Sequence, residues 1–120
     1  MLPPIPKKIL RSRATVKVCT SVDTYQNQTY ATYVVNNVHM QPTTEIRKTA
    51  TNTDQQLRSM LFVDARRSTP LIDWDGLLRE AHEKGGDMRV IVRDVEYTVL
   101  TVDALRDSSD QLHHYEIGCY

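Results

Sequence analysis

The chain carries one phenylalanine, one tryptophan, two cysteines and no surplus of charge of either sign. Each scarcity excludes something. With 15 basic against 15 acidic side chains the formal net charge is zero. No bulk electrostatic field therefore draws the protein onto nucleic acid, and weak self-repulsion suits a subunit packed among copies of itself. Two cysteines, Cys19 and Cys119, do not make a disulfide framework. A bridge between them requires the first and last strands to be neighbours. No apolar run reaches transmembrane length, so no membrane partner is expected. The opening Met1-Leu2-Pro3-Pro4-Ile5-Pro6-Lys7-Lys8 sets its prolines before its lysines and lacks the apolar core of a signal peptide. The expected setting is a reducing, intracellular one with free thiols.

Chemistry is equally sparse. Ser12, Ser21, Ser59 and Ser68 lie in no nucleophile elbow. Gly85-Gly86 belongs to no phosphate-binding glycine pattern. His113-His114 is the most suggestive pair, but adjacent strand residues point to opposite faces, and two imidazoles so placed do not grip one metal. His39, His82 and Cys119 show no ligand-pair spacing. Asp64, Asp73 and Asp75 read as turn and cap residues. Glu116 and Asp103 lack anything that fixes their separation as an acid–base pair. No catalytic residue, metal or cofactor is assigned.

What the chain does have is alternation. Ala14–Cys19 alternates and is rich in β-branched residues, so it reads as a strand. Asp23–Tyr30 reads as a polar hairpin tip, and Tyr30–Met40 as a strand interrupted at Asn36-Asn37 by a bulge or turn. Glu45–Gln56 is polar and threonine-rich, which predicts a long loop. Leu57–Asp64 reads as a central strand. Within Leu71–Lys84 the spacing of Ile72, Leu77, Leu78 and Ala81 predicts a short helix of about two turns, capped by Asp73 or Asp75, ended by Gly85-Gly86 and anchored by Trp74. Three strands follow, Asp87–Arg93, Glu96–Asp103 and Gln111–Ile117. A chain of 120 residues is one domain by size. The expected fold is mainly β: a small single-domain barrel or sandwich with one short helix and a long polar loop. Residues 1–13 are read as an extended arm and 14–120 as the domain.

Lys7, Lys8, Arg11 and Arg13 make a local basic patch, read as a solvated surface, with contact to DNA or an acidic partner as the alternative. Tyr30, Tyr33, Trp74 and Tyr115 are the candidates for a protein interface, because their rings combine apolar area with a polar atom.

Several short segments together resemble a known family. They are Met1–Leu10; Asn36-Asn37-Val38 ahead of Pro42; Leu61-Phe62-Val63-Asp64 leading to Ser68-Thr69-Pro70; Gly86-Asp87; Glu96-Tyr97-Thr98-Val99; and Leu112-His113-His114-Tyr115-Glu116. In order and spacing they are similar to the small minor capsid proteins of tailed phages and prophages of Gram-positive bacteria. The resemblance implies a non-enzymatic virion protein, assembled in the host cytoplasm. It implies a head-completion or head–tail connector subunit, forming a homo-oligomeric ring on the portal or an adaptor and meeting a tail-completion protein. It also implies contact with packaged double-stranded DNA without sequence reading; the candidates for that contact are Arg47 and Lys48 of the polar loop and Arg58 just beyond it. The alternative reading is a small β-barrel that binds nucleic acid or protein.

Overall fold

A computed structural model describes residues 8–49 and 51–120. Of the expected arm, residues 1–7 lie outside the described residues. The elements are β1 (Ser12–Val22), β2 (Gln28–Pro42), β3 (Ile46–Lys48), β4 (Asp54–Gln56), β5 (Ser59–Asp64), α1 (Trp74–Glu83), β6 (Met88–Val92), β7 (Val95–Arg106) and β8 (Leu112–Cys119).

Six of these strands close on themselves in the order β1-β2-β5-β8-β7-β6, and β6 pairs back onto β1. All neighbours are antiparallel. The mainly β single domain expected from alternation is thus a closed ring rather than a sandwich. The alternation explains why it closes. Ala14, Val16 and Val18 of β1 face Met88, Val90 and Val92 of β6 in the core, with Leu61, Val63, Tyr115 and Ile117 completing it from β5 and β8. Closure satisfies the main-chain donors and acceptors that an open sheet would leave at its edges.

The interruption at Asn36-Asn37 is a bulge. Ser12 pairs with Val38 and Arg13 with Asn36, so Asn37 is the extra residue, at φ 60°. Its amide donates to the Arg67 carbonyl at 3.0 Å, and its carbonyl accepts from Ser68 Oγ at 2.5 Å. The bulge thereby docks the turn after β5, where the buried Asp64 carboxylate accepts from the backbone N–H groups of Arg66 and Arg67. The hairpin tip is shorter than Asp23–Tyr30, because Thr29 and Tyr30 already pair with β1. Asp23 organises it by accepting from the N–H groups of Tyr25 and Asn27.

The helix forms where its caps place it. Asp73 Oδ1 accepts from Gly76 N at 3.1 Å. At the other end Gly85, at φ 80°, donates to the His82 carbonyl while Gly86 donates to that of Ala81. That pair of bonds is a Schellman motif. The helix runs 10 residues, longer than two turns, and buries Trp74, Leu78 and Ala81 against the barrel. It contacts β1, β6 and β7. Gly86 also has no room for a side chain: a Cβ there would strike Cys19 Sγ and come within 2.6 Å of Gln28 Oε1.

The Glu45–Gln56 segment is not a loop. Its ends form the two-stranded hairpin β3–β4, with Ile46 opposite Gln56 and Lys48 opposite Asp54. Low hydrophobicity points to a loop because this hairpin is stabilised by polar contacts rather than by an apolar face.

Candidate assembly surface

Among the described residues no group of three or more His, Cys, Asp and Glu side chains converges as a metal site would. The histidine pair nonetheless differs from expectation. Leu105 pairs with His114 and Arg106 with Leu112, so His113 is an extra residue in β8. The bulge cancels the alternation that would splay the two rings apart. Their Nδ1 atoms lie 2.7 Å apart, and His114 Nε2 is 2.8 Å from Glu116 Oε2. His114 also neighbours Phe62, which stacks on His39 at 5.9 Å, giving a half-buried aromatic row across β2, β5 and β8. Both cysteines are free thiols and buried. Burial pushes the Cys119 thiol up to about 12.

The aromatic candidates divide by depth. Trp74 is wholly enclosed at 0 % exposure and Tyr115 nearly so at 7 %, and both pack in the core. Tyr30 and Tyr33 are half-buried against the outside of that core. The Tyr30 hydroxyl donates to Asp87 Oδ1 at 2.8 Å. Asp87 also receives Arg89 at 3.1 Å, and its N–H donates to Gln28 Oε1. The network locks β2 to the entrance of β6. Burial raises the Tyr30 hydroxyl above its ordinary value, and the bond to Asp87 raises it further. Among the described residues, the large apolar side chains left exposed are Ile9, Tyr25, Val34, Ile46, Leu71, Val95 and Leu105.

The cationic candidates Arg47, Lys48 and Arg58 come together around the hairpin, and each has a partner. Arg47 bridges Glu45 at 2.8 Å and Asp103 of β7 at 3.0 Å. Those two carboxylates hold its guanidinium more basic than usual. Lys48 pairs with Asp54 at 2.7 Å. Arg58 lies over the Tyr97 ring at 4.9 Å. The Arg47–Asp103 bridge fastens the hairpin to the outside of the barrel, a contact between positions far apart in sequence.

A second cationic group gathers at the start of β1. Arg11, Arg13 and Arg93 line one open groove with Ile9, Ser12 and His39. The basic pair at the start of β1 is visible in the sequence; the arrival of Arg93 from the β6–β7 turn is not.

The fold and its surfaces define a small closed β-barrel with an attached polar hairpin and no convergent metal-ligand cluster among the described residues. A family model described as Minor capsid protein matches residues 6–119. The chain belongs to that family of phage minor capsid proteins, and so is a structural component of the virion. The family is structural rather than enzymatic. No curated protein matches the sequence.

Proposed function

We propose that this protein is a head-completion or head–tail connector subunit, assembling as a homo-oligomeric ring on the portal or an adaptor and presenting a surface to a tail-completion protein. The observation that carries the reading, beside family membership, is that the barrel has two unlike ends. The C-terminal end of α1 feeds the start of β6 through Gly85-Gly86, whereas the finish of β6 carries Arg93 beside the beginning of β1. A component seated between two different structures needs two chemically different poles. Where the strand ring is closed, neighbours meet through side chains, while Gln28–Val35 of β2 pairs only with β1 and keeps one edge open. A head-to-tail contact of that kind must close on itself to avoid growing into a filament. Exposed Val34, Ile46 and Leu105 supply apolar area for such contacts. Tyr30 and Tyr33 add half-buried rings near the same strands.

The test is to add the purified protein to DNA-filled, tail-less heads of its own phage and image the portal vertex. Symmetric density below the portal with reduced DNA leakage is expected. Density on isolated tails instead, or on capsid faces away from the vertex, would move the protein to another position in the virion.

A further inference from the structure

The outer face of the β1–β6 ladder sets one cation opposite another, and a second cationic pair gathers where the ladder ends. Lys17 pairs with Arg89 and Thr15 with Ile91. The inward residues are Ala14, Val16 and Val18 on one strand and Met88, Val90 and Val92 on the other. Past Thr15–Ile91 the ladder ends, and Arg93, from the β6–β7 turn, joins Arg13 of β1 as a second cationic pair lining one groove. Like charges placed directly opposite destabilise a strand pair. The first pair is neutralised from within the chain. Lys17 Nζ lies 3.7 Å from Glu96 Oε1, Arg89 Nη1 lies 3.4 Å from Glu96 Oε2, and Arg89 Nη2 lies 3.1 Å from Asp87 Oδ2.

The second pair has no such compensation. Among the described residues, the ion pairs involve Lys17, Arg47, Lys48, Arg79, Arg89 and His114, and none involves Arg11, Arg13 or Arg93. Arg11 is steered by a bond from Nε to the Lys8 carbonyl at 2.6 Å. The three exposed arginines share an open groove of about 720 Å³ with Ile9, Ser12 and His39, and no carboxylate lines it. Asp94 follows Arg93 in the chain but is not part of the lining. The backbone adds a third observation. Arg93 and Asp94 both have positive φ, 51° and 64°, in a tight turn of the kind that Asn-Gly fills at least cost. An arginine is thus kept where glycine or asparagine would be easier.

We propose that this groove binds the phosphodiester backbone of double-stranded DNA, with Arg11, Arg13 and Arg93 as the phosphate ligands and no reading of bases. The proposal rests on the connector reading, in which one pole of the barrel faces packaged DNA. Phosphate is favoured over an acidic protein surface by the lining. Guanidinium forks match phosphate oxygens in pairs. Among the described residues Ile9 is the one apolar side chain in the groove, whereas a protein interface is built around an apolar centre. Arg47, Lys48 and Arg58 are poorer phosphate ligands here, because each must first leave a carboxylate or a ring.

The experiment compares wild type with the triple variant R11A/R13A/R93A, with Arg93→Gly, and with Arg79→Ala as a control whose ion pair to Asp75 lies on α1. Binding to a short mixed-sequence duplex is followed across a salt series, with polyglutamate as competitor. The triple variant is expected to lose at least tenfold in affinity. Its log–log salt slope should fall by about one for each arginine removed. Arg79→Ala should bind as wild type does. Arg93→Gly relieves the turn, so it should melt no lower than wild type while binding more weakly, which separates lost contact from lost fold. Unchanged affinity and slope in the triple variant, or displacement by polyglutamate as readily as by duplex, would overturn the assignment. A second arm uses DNA-filled heads. A triple variant that seats at the vertex but leaks DNA supports the groove. One that seats and retains DNA like wild type overturns the groove and leaves the connector reading standing. Wild type that never seats overturns the connector reading, and the duplex titration then decides phosphate binding alone.

Discussion

Asp87 gathers Tyr30, Arg89 and the backbone contact to Gln28 into one junction. Burial alone pushes its carboxyl upward, but the hydrogen bonds from Arg89 and Tyr30 outweigh that and hold it below the ordinary carboxylate value. A carboxylate held lower in the folded than in the unfolded state adds stability above its unfolded value, about 3.9, and loses it as pH falls through the folded value. Asp87→Asn should therefore cost about 1–2 kcal/mol at neutral pH. The difference from wild type should shrink below about pH 4. Urea melts at several pH values check this; a difference that stays constant into acid would remove the carboxylate's charge as the cause. Cys119 gives a second residue-scale prediction. With its thiol pushed up to about 12 and its side chain enclosed, the reactive thiolate is scarce at neutral pH. Iodoacetamide should modify it only after unfolding, as peptide mass mapping will show.

The helix and the hairpin show what an element's sequence can and cannot reveal. The helix is legible because its determinants are local: Asp73 at the start, Gly85-Gly86 at the end and an apolar stripe between. Trp74→Ala should cost about 3–5 kcal/mol, because it opens a cavity under the helix at a fully enclosed site; a thermal melt measures it. The strands β1 and β6, with their β-branched alternation, and β5, with its apolar middle, are legible for the same reason. The β3–β4 hairpin is not, since what orders it is Arg47 reaching Asp103 on another strand. Arg47→Ala should leave the melting temperature almost unchanged, because partly exposed ion pairs contribute about 0–1 kcal/mol. It should nevertheless speed tryptic cleavage after Lys48 as the hairpin loosens. The bulges lie between these cases. Asn36-Asn37 announces one through its composition, whereas the bulge at His113 carries no turn residue and shows only in the register with β7. Arg11, Arg13 and Arg93 share a groove only because the fold brings the β6–β7 turn to the start of β1, so no inspection of either segment alone finds it.

For the molecule as a whole, fastening the hairpin to the barrel gives the proposed connector an ordered feature that can change partners on assembly. Deleting Thr49–Thr53 is expected to leave the monomer folded and to impair particle completion or genome retention. Normal completion with full retention would relieve the hairpin of any part in assembly. The strand order also governs when the subunit first exists in synthesis. The latest strand, β8, inserts between β5 and β7, so the ring cannot close until the ribosome has passed Cys119. A chain interrupted before that point leaves β5 and β7 with bare edges, which invite aggregation rather than docking. Closure by the latest strand therefore makes every surface of the ring conditional on the full set of strands: a truncated chain has no closed ring to offer a partner.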